Sequence, residues 1–235
     1  MVIRFGPIAL TSFALCGSTG CSERPRTYNT VPVERRPLLS DNFDRVGLGP
    51  KWYSTGAHYH IDDGALTVDG PRNQPLWLRA PLPDDVHIEF DAWSDSTDGD
   101  IKFEIAGDGE SYAQTTSYKS SSYVLIFGGW QNTRNVIARR DEHGSDRRTA
   151  THPKVEPKRR YHFAIDRLGG SLTWHIDGRE ILRYDDRAPL TGPQHRHFAF
   201  SGWDAVTHFD NLTIDELAGP GDLAADPDPD ERPET

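Results

Sequence analysis

Cysteine is almost absent. The 235 residues hold two, Cys16 and Cys21, and a domain built downstream of them has no disulfide to staple it. It must be held by a core. Long apolar runs are missing as well. Residues 8–15 form the most apolar stretch, bounded by Gly6, Pro7 and Gly17, whereas a membrane-spanning helix needs ~20 apolar residues. Positive charge is in deficit, with 26 Lys and Arg against 36 Asp and Glu and a net charge of −10. That balance argues against nucleic acid and against an electrostatic membrane patch. No window carries a sustained helical stripe, and no repeat of 20–50 residues is evident, so a helical bundle, propeller or solenoid is not expected. Apolar residues are only 35%, but six Trp, eight Tyr and ten Phe can each bury a large area.

What the N-terminus does have is Arg4, the apolar 8–15 segment, and Ser18-Thr19-Gly20 running into Cys21. This reads as an export signal. Small residues before a cysteine resemble the lipobox of bacterial lipoproteins, although Ser18 stands where that box usually has Leu. The resemblance implies lipidation at Cys21 and a lipoprotein anchored in the bacterial cell envelope through that lipid alone. Residues 1–20 are then the signal peptide. Residues 21–37, rich in proline and charge, read as a disordered tether, and 38–217 as one domain. Residues 218–235 are acidic and proline-rich, a composition that cannot bury a core and is expected to be disordered.

Inside the domain, short alternating runs recur between Gly, Pro, Asp and Asn. In 86–93, Val86, Ile88, Phe90 and Ala92 face one way, while His87, Glu89, Asp91 and Trp93 face the other. Ile101, Phe103 and Ile105 alternate with Lys102 and Glu104. Residues 123–127 are apolar on both faces and predict a doubly covered strand. Asp63-Gly64 and Asp177-Gly178 predict tight hairpin turns. About a dozen strands with no helix indicate an all-β, two-sheet antiparallel sandwich of jelly-roll type.

The order of these pieces resembles the concanavalin A-like lectin/glucanase superfamily. The resemblance rests on Asp41-Asn42-Phe43-Asp44, Trp52, Ile61-Asp62-Asp63-Gly64-Ala65-Leu66, the 86–93 strand, Trp174-His175-Ile176-Asp177-Gly178 and Phe209-Asp210-Asn211-Leu212-Thr213-Ile214. Its layout is most similar to the 3-keto-disaccharide hydrolase and LamG-like domains. Several such families are directed at sugars, which implies a glycan or oligosaccharide partner. The glucanase signature Glu-x-Asp-x-x-Glu is broken here at Ser94, and a hydroxyl cannot protonate a leaving sugar, so retaining hydrolysis by that motif is not expected.

Candidate chemistry falls into four groups. Glu89, Asp91, Trp93, Lys102 and Glu104 would form one polar patch if their strands shared a face. Carboxylates there could bond sugar hydroxyls, and an indole could stack on a pyranose. Trp130 and Trp203 each follow glycine at a strand end and could be stacking platforms or core caps, with Asn132 beside the first. Arg139, Asp141, Glu142 and His143 gather acid, base and imidazole, and Arg139, Asp141 and His143 would share a face if the strand continued. His195 and His197, spaced i, i+2, would share a strand face. Glu89, Glu104, Asp141, Glu142 and His143 are the candidate acids and bases. No cofactor is expected, apart from a structural calcium that analogy would place at Asp41, Asp44 and Asp210. Three functions remain open: a carbohydrate-binding module, a sugar-active hydrolase or lyase, and an envelope protein without a small ligand.

Overall fold

The computed structural model describes residues 33–115 and 118–218. Cys21, the signal segment and the tail from 219 onward lie outside the described residues. Fifteen strands are present among those described: β1 (Glu34–Asp41), β2 (Trp52–Ser54), β3 (His60–Asp62), β4 (Ala65–Asp69), β5 (Leu76–Leu78), β6 (Val86–Ser94), β7 (Ile101–Gly107), β8 (Tyr123–Gly128), β9 (Arg134–Arg139), β10 (Arg148–Ala150), β11 (Tyr161–Leu168), β12 (Ser171–Ile176), β13 (Arg179–Asp185), β14 (His197–Ser201) and β15 (Val206–Ala218).

They form two antiparallel sheets, as expected. The eight-stranded sheet runs β13-β12-β11-β6-β15-β4-β3, with β1 added along β15. The seven-stranded sheet runs β10-β9-β8-β7-β14-β5-β2. Both predicted hairpin turns have two residues at positive φ, Asp63 and Gly64 at 48° and 76°, and Asp177 and Gly178 at 51° and 75°. Those are the angles of the turn that matches strand twist.

The core lies between the sheets and is aromatic. Phe90 of β6 sits at its centre, with ring centroids 5.0 Å from Phe103 and Phe163 and 5.3 Å from Phe200. Strand β8 is covered on both sides. Tyr123, Leu125 and Phe127 enter the main core, while Val124 and Ile126 join Val136 and Ala138 in a second cluster under Trp130.

The chain differs from the sequence-based boundaries at the start of the domain. Glu34 to Pro37, expected in the tether, pair with β15 in the register Glu34↔Ala218 to Pro37↔Asp215. Proline and charge are compatible with an edge strand, so the composition does not exclude pairing. The strand then ends at Asp41, and Phe43 turns at φ 54° to bury its ring completely.

Candidate functional site

Strands β6 and β7 are adjacent in sequence but belong to different sheets. The single polar patch expected of Glu89, Asp91, Trp93, Lys102 and Glu104 therefore does not exist. The segment between the strands crosses the sandwich, and alternation then turns the two polar sides to opposite exteriors.

On the eight-stranded sheet, Glu89, Asp91 and Trp93 are tied into a surface network. His87 Nδ1 lies 2.7 Å from Asp166 and its Nε2 2.7 Å from Glu89. Burial alone would lower the His87 pKa, but these two carboxylates prevail and hold it above the usual histidine value. Asp91 bonds Asn211 and His162, each at 2.9 Å. Trp93 is stacked on His208 at 4.8 Å with the Arg160 guanidinium 4.7 Å from its ring. These groups satisfy one another and leave Trp93 no open face comparable to that of Trp203.

On the seven-stranded sheet, Lys102 and Glu104 also point outward, yet both are buried. The segments after β7 and after β9 fold back over them. Lys102 Nζ donates to Asn73 Oδ1 and to Glu142 Oε2, each at 2.6 Å. Glu104 Oε2 accepts from Ser120 at 2.5 Å and from Ser122 at 2.6 Å. Burial pushes the Glu104 carboxyl above the usual range despite those hydroxyls, and its Oε1 has no hydrogen-bond partner. An uncompensated buried charge is costly, so the neutral form is favoured.

Above this floor lies a cleft of about 690 Å³, within the size range of small-ligand sites. Its lining includes Lys102, Ile126, Trp130, Asp141, Glu142, His143 and Trp203, six of which are sequence candidates drawn from three separate groups. The β8–β9 connection places Trp130 through a left-handed turn, with φ of 74° at Gly128, 50° at Trp130 and 57° at Gln131. A Cβ at Gly128 would come 2.5 Å from Val155, so only glycine fits there. Trp203 is held through its backbone: its N–H donates to Asp100 Oδ2 at 2.5 Å and its carbonyl accepts from Arg72 at 2.9 Å.

The two tryptophans are not equivalent. Trp203 is 45% exposed. Trp130 is half-buried on the β8–β9 apolar cluster, with His143 at its edge and the Arg147 guanidinium 5.2 Å from its ring. Trp203 fits the platform expectation, and Trp130 combines a wall of the cleft with a core cap. At the cleft margin, the His143 backbone N–H donates to Asp141 and holds its carboxyl below the usual range. Burial pushes Asp100 the other way.

The remaining candidates are elsewhere. Arg139 does not share a face with Asp141 and His143. It bonds Asp186 at 2.9 Å, and the strand ends there because Arg140 turns at φ 65°. Asn132 clamps Val155 and Thr97 through backbone bonds and does not line the cleft. His195 and His197 bond the separate carbonyls of Ala106 and Leu78, because β14 begins only at His197 and is irregular before Ala199. Asp41 is engaged by Arg45 and Trp52, and Asp210 by Arg160. No group of three or more His, Cys, Asp or Glu suited to a metal occurs among the described residues. Asn73, Asp98, Asp100, Tyr118, Lys119 and Asp204 line the cleft without having been singled out. Only Asp204, next to Trp203, carried a local signal.

Solved structures confirm the fold class. A carbohydrate-binding module, CBM66, from Bacillus subtilis aligns with a TM-score of 0.52 at 11% identity over 71% of this chain and 96% of its own. A protein of unknown function with a galectin-like fold, also from Bacillus subtilis, aligns at 0.52 and 14% over 80% and 100%. The laminarinase from Rhodothermus marinus aligns at 0.56 and 15% over 79% and 99%. The fold is thus the concanavalin A-like, galectin-like sandwich that the sequence resembles. No curated protein matches the chain. Residues 86–213, from β6 into β15 and more than half of the chain, match one family, to which nothing in the sequence pointed beforehand. The chain belongs to the family described as "Farnesoic acid 0-methyl transferase".

Proposed function

We propose that this chain is a glycan-binding lipoprotein of the bacterial cell envelope, and that the cleft on the seven-stranded sheet is its saccharide site. The observation that carries the reading is Trp203: a large exposed indole, fixed through its backbone, beside a floor of pre-oriented polar groups. An indole covers the apolar face of a sugar ring while Lys102, Asn73 and Glu142 offer donors and acceptors for its hydroxyls. The shared fold of a carbohydrate-binding module and a laminarinase supports this by analogy only.

Two other chemistries are weighed by the same lining. Sugar hydrolysis is favoured by Asp100 and Glu142, two carboxyls that both reach the cleft. Against it, Glu142 is held by Lys102, and the raised acid Glu104 is sealed beneath the floor. Methyl transfer to farnesoic acid, which the family description names, would bring an anionic, otherwise apolar acceptor into a cleft lined by Asp98, Asp100, Asp141, Glu142 and Asp204. Like charge opposes that acceptor.

A glycan array with the purified protein, followed by a reducing-sugar assay on every glycan it binds, tests the proposal. Binding without release of reducing ends is the expected result. Release of reducing ends would favour the hydrolase, and an empty array would remove the glycan reading.

A further inference from the structure

The five carboxylates of the cleft are not equally engaged. Glu142 is 2.6 Å from Lys102, Asp141 is 3.5 Å from Lys119, and Asp204 is 3.0 Å from Arg72. For Asp98 and Asp100, no Lys, Arg or His nitrogen lies within the 4.0 Å of an ion pair among the described residues. Both lie in the connection from β6 to β7. That connection is pinned by Asp100 N–H to the Gly128 carbonyl at 3.1 Å and by Asp100 Oδ2 accepting from Trp203 N–H. Two carboxyl groups without an ion-pair partner therefore line the cleft together with the exposed indole, in a lining of five acids and two lysines. Beneath them, on the same outer sheet face, Ser201 Oγ and Glu104 Oε1 are buried without hydrogen-bond partners, and Ser201 is the cross-strand neighbour of Lys102. The cleft thus holds more acidic than basic groups next to an aromatic face.

We propose that the cleft selects sugars carrying a free amino group, with Asp98 and Asp100 accepting from the ring ammonium while Trp203 covers the ring. This rests on the glycan reading and adds the ligand's charge. An ammonium is attracted by both elements of the site, since carboxylates form charge-assisted hydrogen bonds with it and an indole face stabilises a nearby cation. An acetylated amine loses the charge. A uronate meets repulsion from the same carboxylates.

The test uses the full chain and three oligosaccharides of equal length: a glucosamine oligomer with free amines, its N-acetylated counterpart, and the corresponding glucose oligomer. Titration calorimetry at neutral pH and low salt is expected to show the free-amine oligomer binding about tenfold more tightly than either of the others. Added salt should shrink that margin. The Asp98→Asn/Asp100→Asn double variant should bring the three affinities together. Asp98→Asn alone, at an exposed position, is expected to narrow the margin in a protein with the same unfolding midpoint. Equal or tighter binding of the acetylated or glucose oligomer overturns the amine selectivity and leaves glycan binding standing. Failure of all three to bind overturns the amine selectivity, and the glycan array decides the glycan reading.

Discussion

Individual residues decide the chemistry, and Lys102 shows how. Its ammonium is buried, and it donates to Glu142 and Asn73 there. Removing one partner of a buried pair leaves the other uncompensated, which is far costlier than losing a surface bridge. Glu142→Gln is therefore expected to lower stability by about 3 kcal/mol, measured by urea unfolding. A change near zero would mean that Lys102 finds water in place of Glu142. At this scale the sequence was only partly legible. Trp203 and Glu142 stood out by type and by their neighbours. The Lys102–Glu142 contact spans forty positions, and nothing local marks it. Asp100 was invisible for the same reason, because its role comes from Trp203, over a hundred positions away.

Strands were the most legible level, since alternation is written directly in the residues. Strand β6 has the predicted register, with Phe90 wholly buried and Glu89 partly exposed on the other side. Phe90→Ala should cost about 3–5 kcal/mol, whereas Glu89→Ala should cost much less, and the reverse ranking in denaturant unfolding would contradict this register. Which sheet each strand joins was not legible, because alternation defines two faces without naming the neighbour. That gap is what merged the β6 and β7 polar sides into one expected patch. The β6 network also sets a pH dependence. His87 is raised in the folded state, so its contribution is complete below about pH 6.5, the unfolded value, and is lost as pH rises through the folded value. Its partners Glu89 and Asp166 are lowered by His87, so their contributions are present above about pH 4 and are lost as pH falls through their folded values. Urea midpoints measured across pH should peak between those limits, and His87→Gln should flatten the alkaline side.

At the scale of the whole molecule, the two sheets give the domain two unlike exteriors. One is a closed network of ion pairs and stacked rings around Trp93, and the other is an open cleft ending at Trp203. Fold class was legible because aromatic, alternating, helix-free segments leave few alternatives. The cleft was not, because the segments that build it come from six parts of the chain. No helix among the described residues is long and apolar enough to cross a membrane. Anchoring is proposed through Cys21, and Cys21→Ser should release the protein from the membrane fraction and abolish lipid labelling. Retained membrane association would contradict the anchor. The most direct measurement of the central claim compares the two exteriors. Trp203→Ala and Trp93→Ala are each titrated with a glycan that the unaltered protein binds, after matching their unfolding midpoints to it. The account predicts that Trp203→Ala weakens binding by about 0.5–1.5 kcal/mol or more while Trp93→Ala leaves it unchanged. Loss of binding in Trp93→Ala, with Trp203→Ala unaffected, would place the site on the opposite sheet and contradict it.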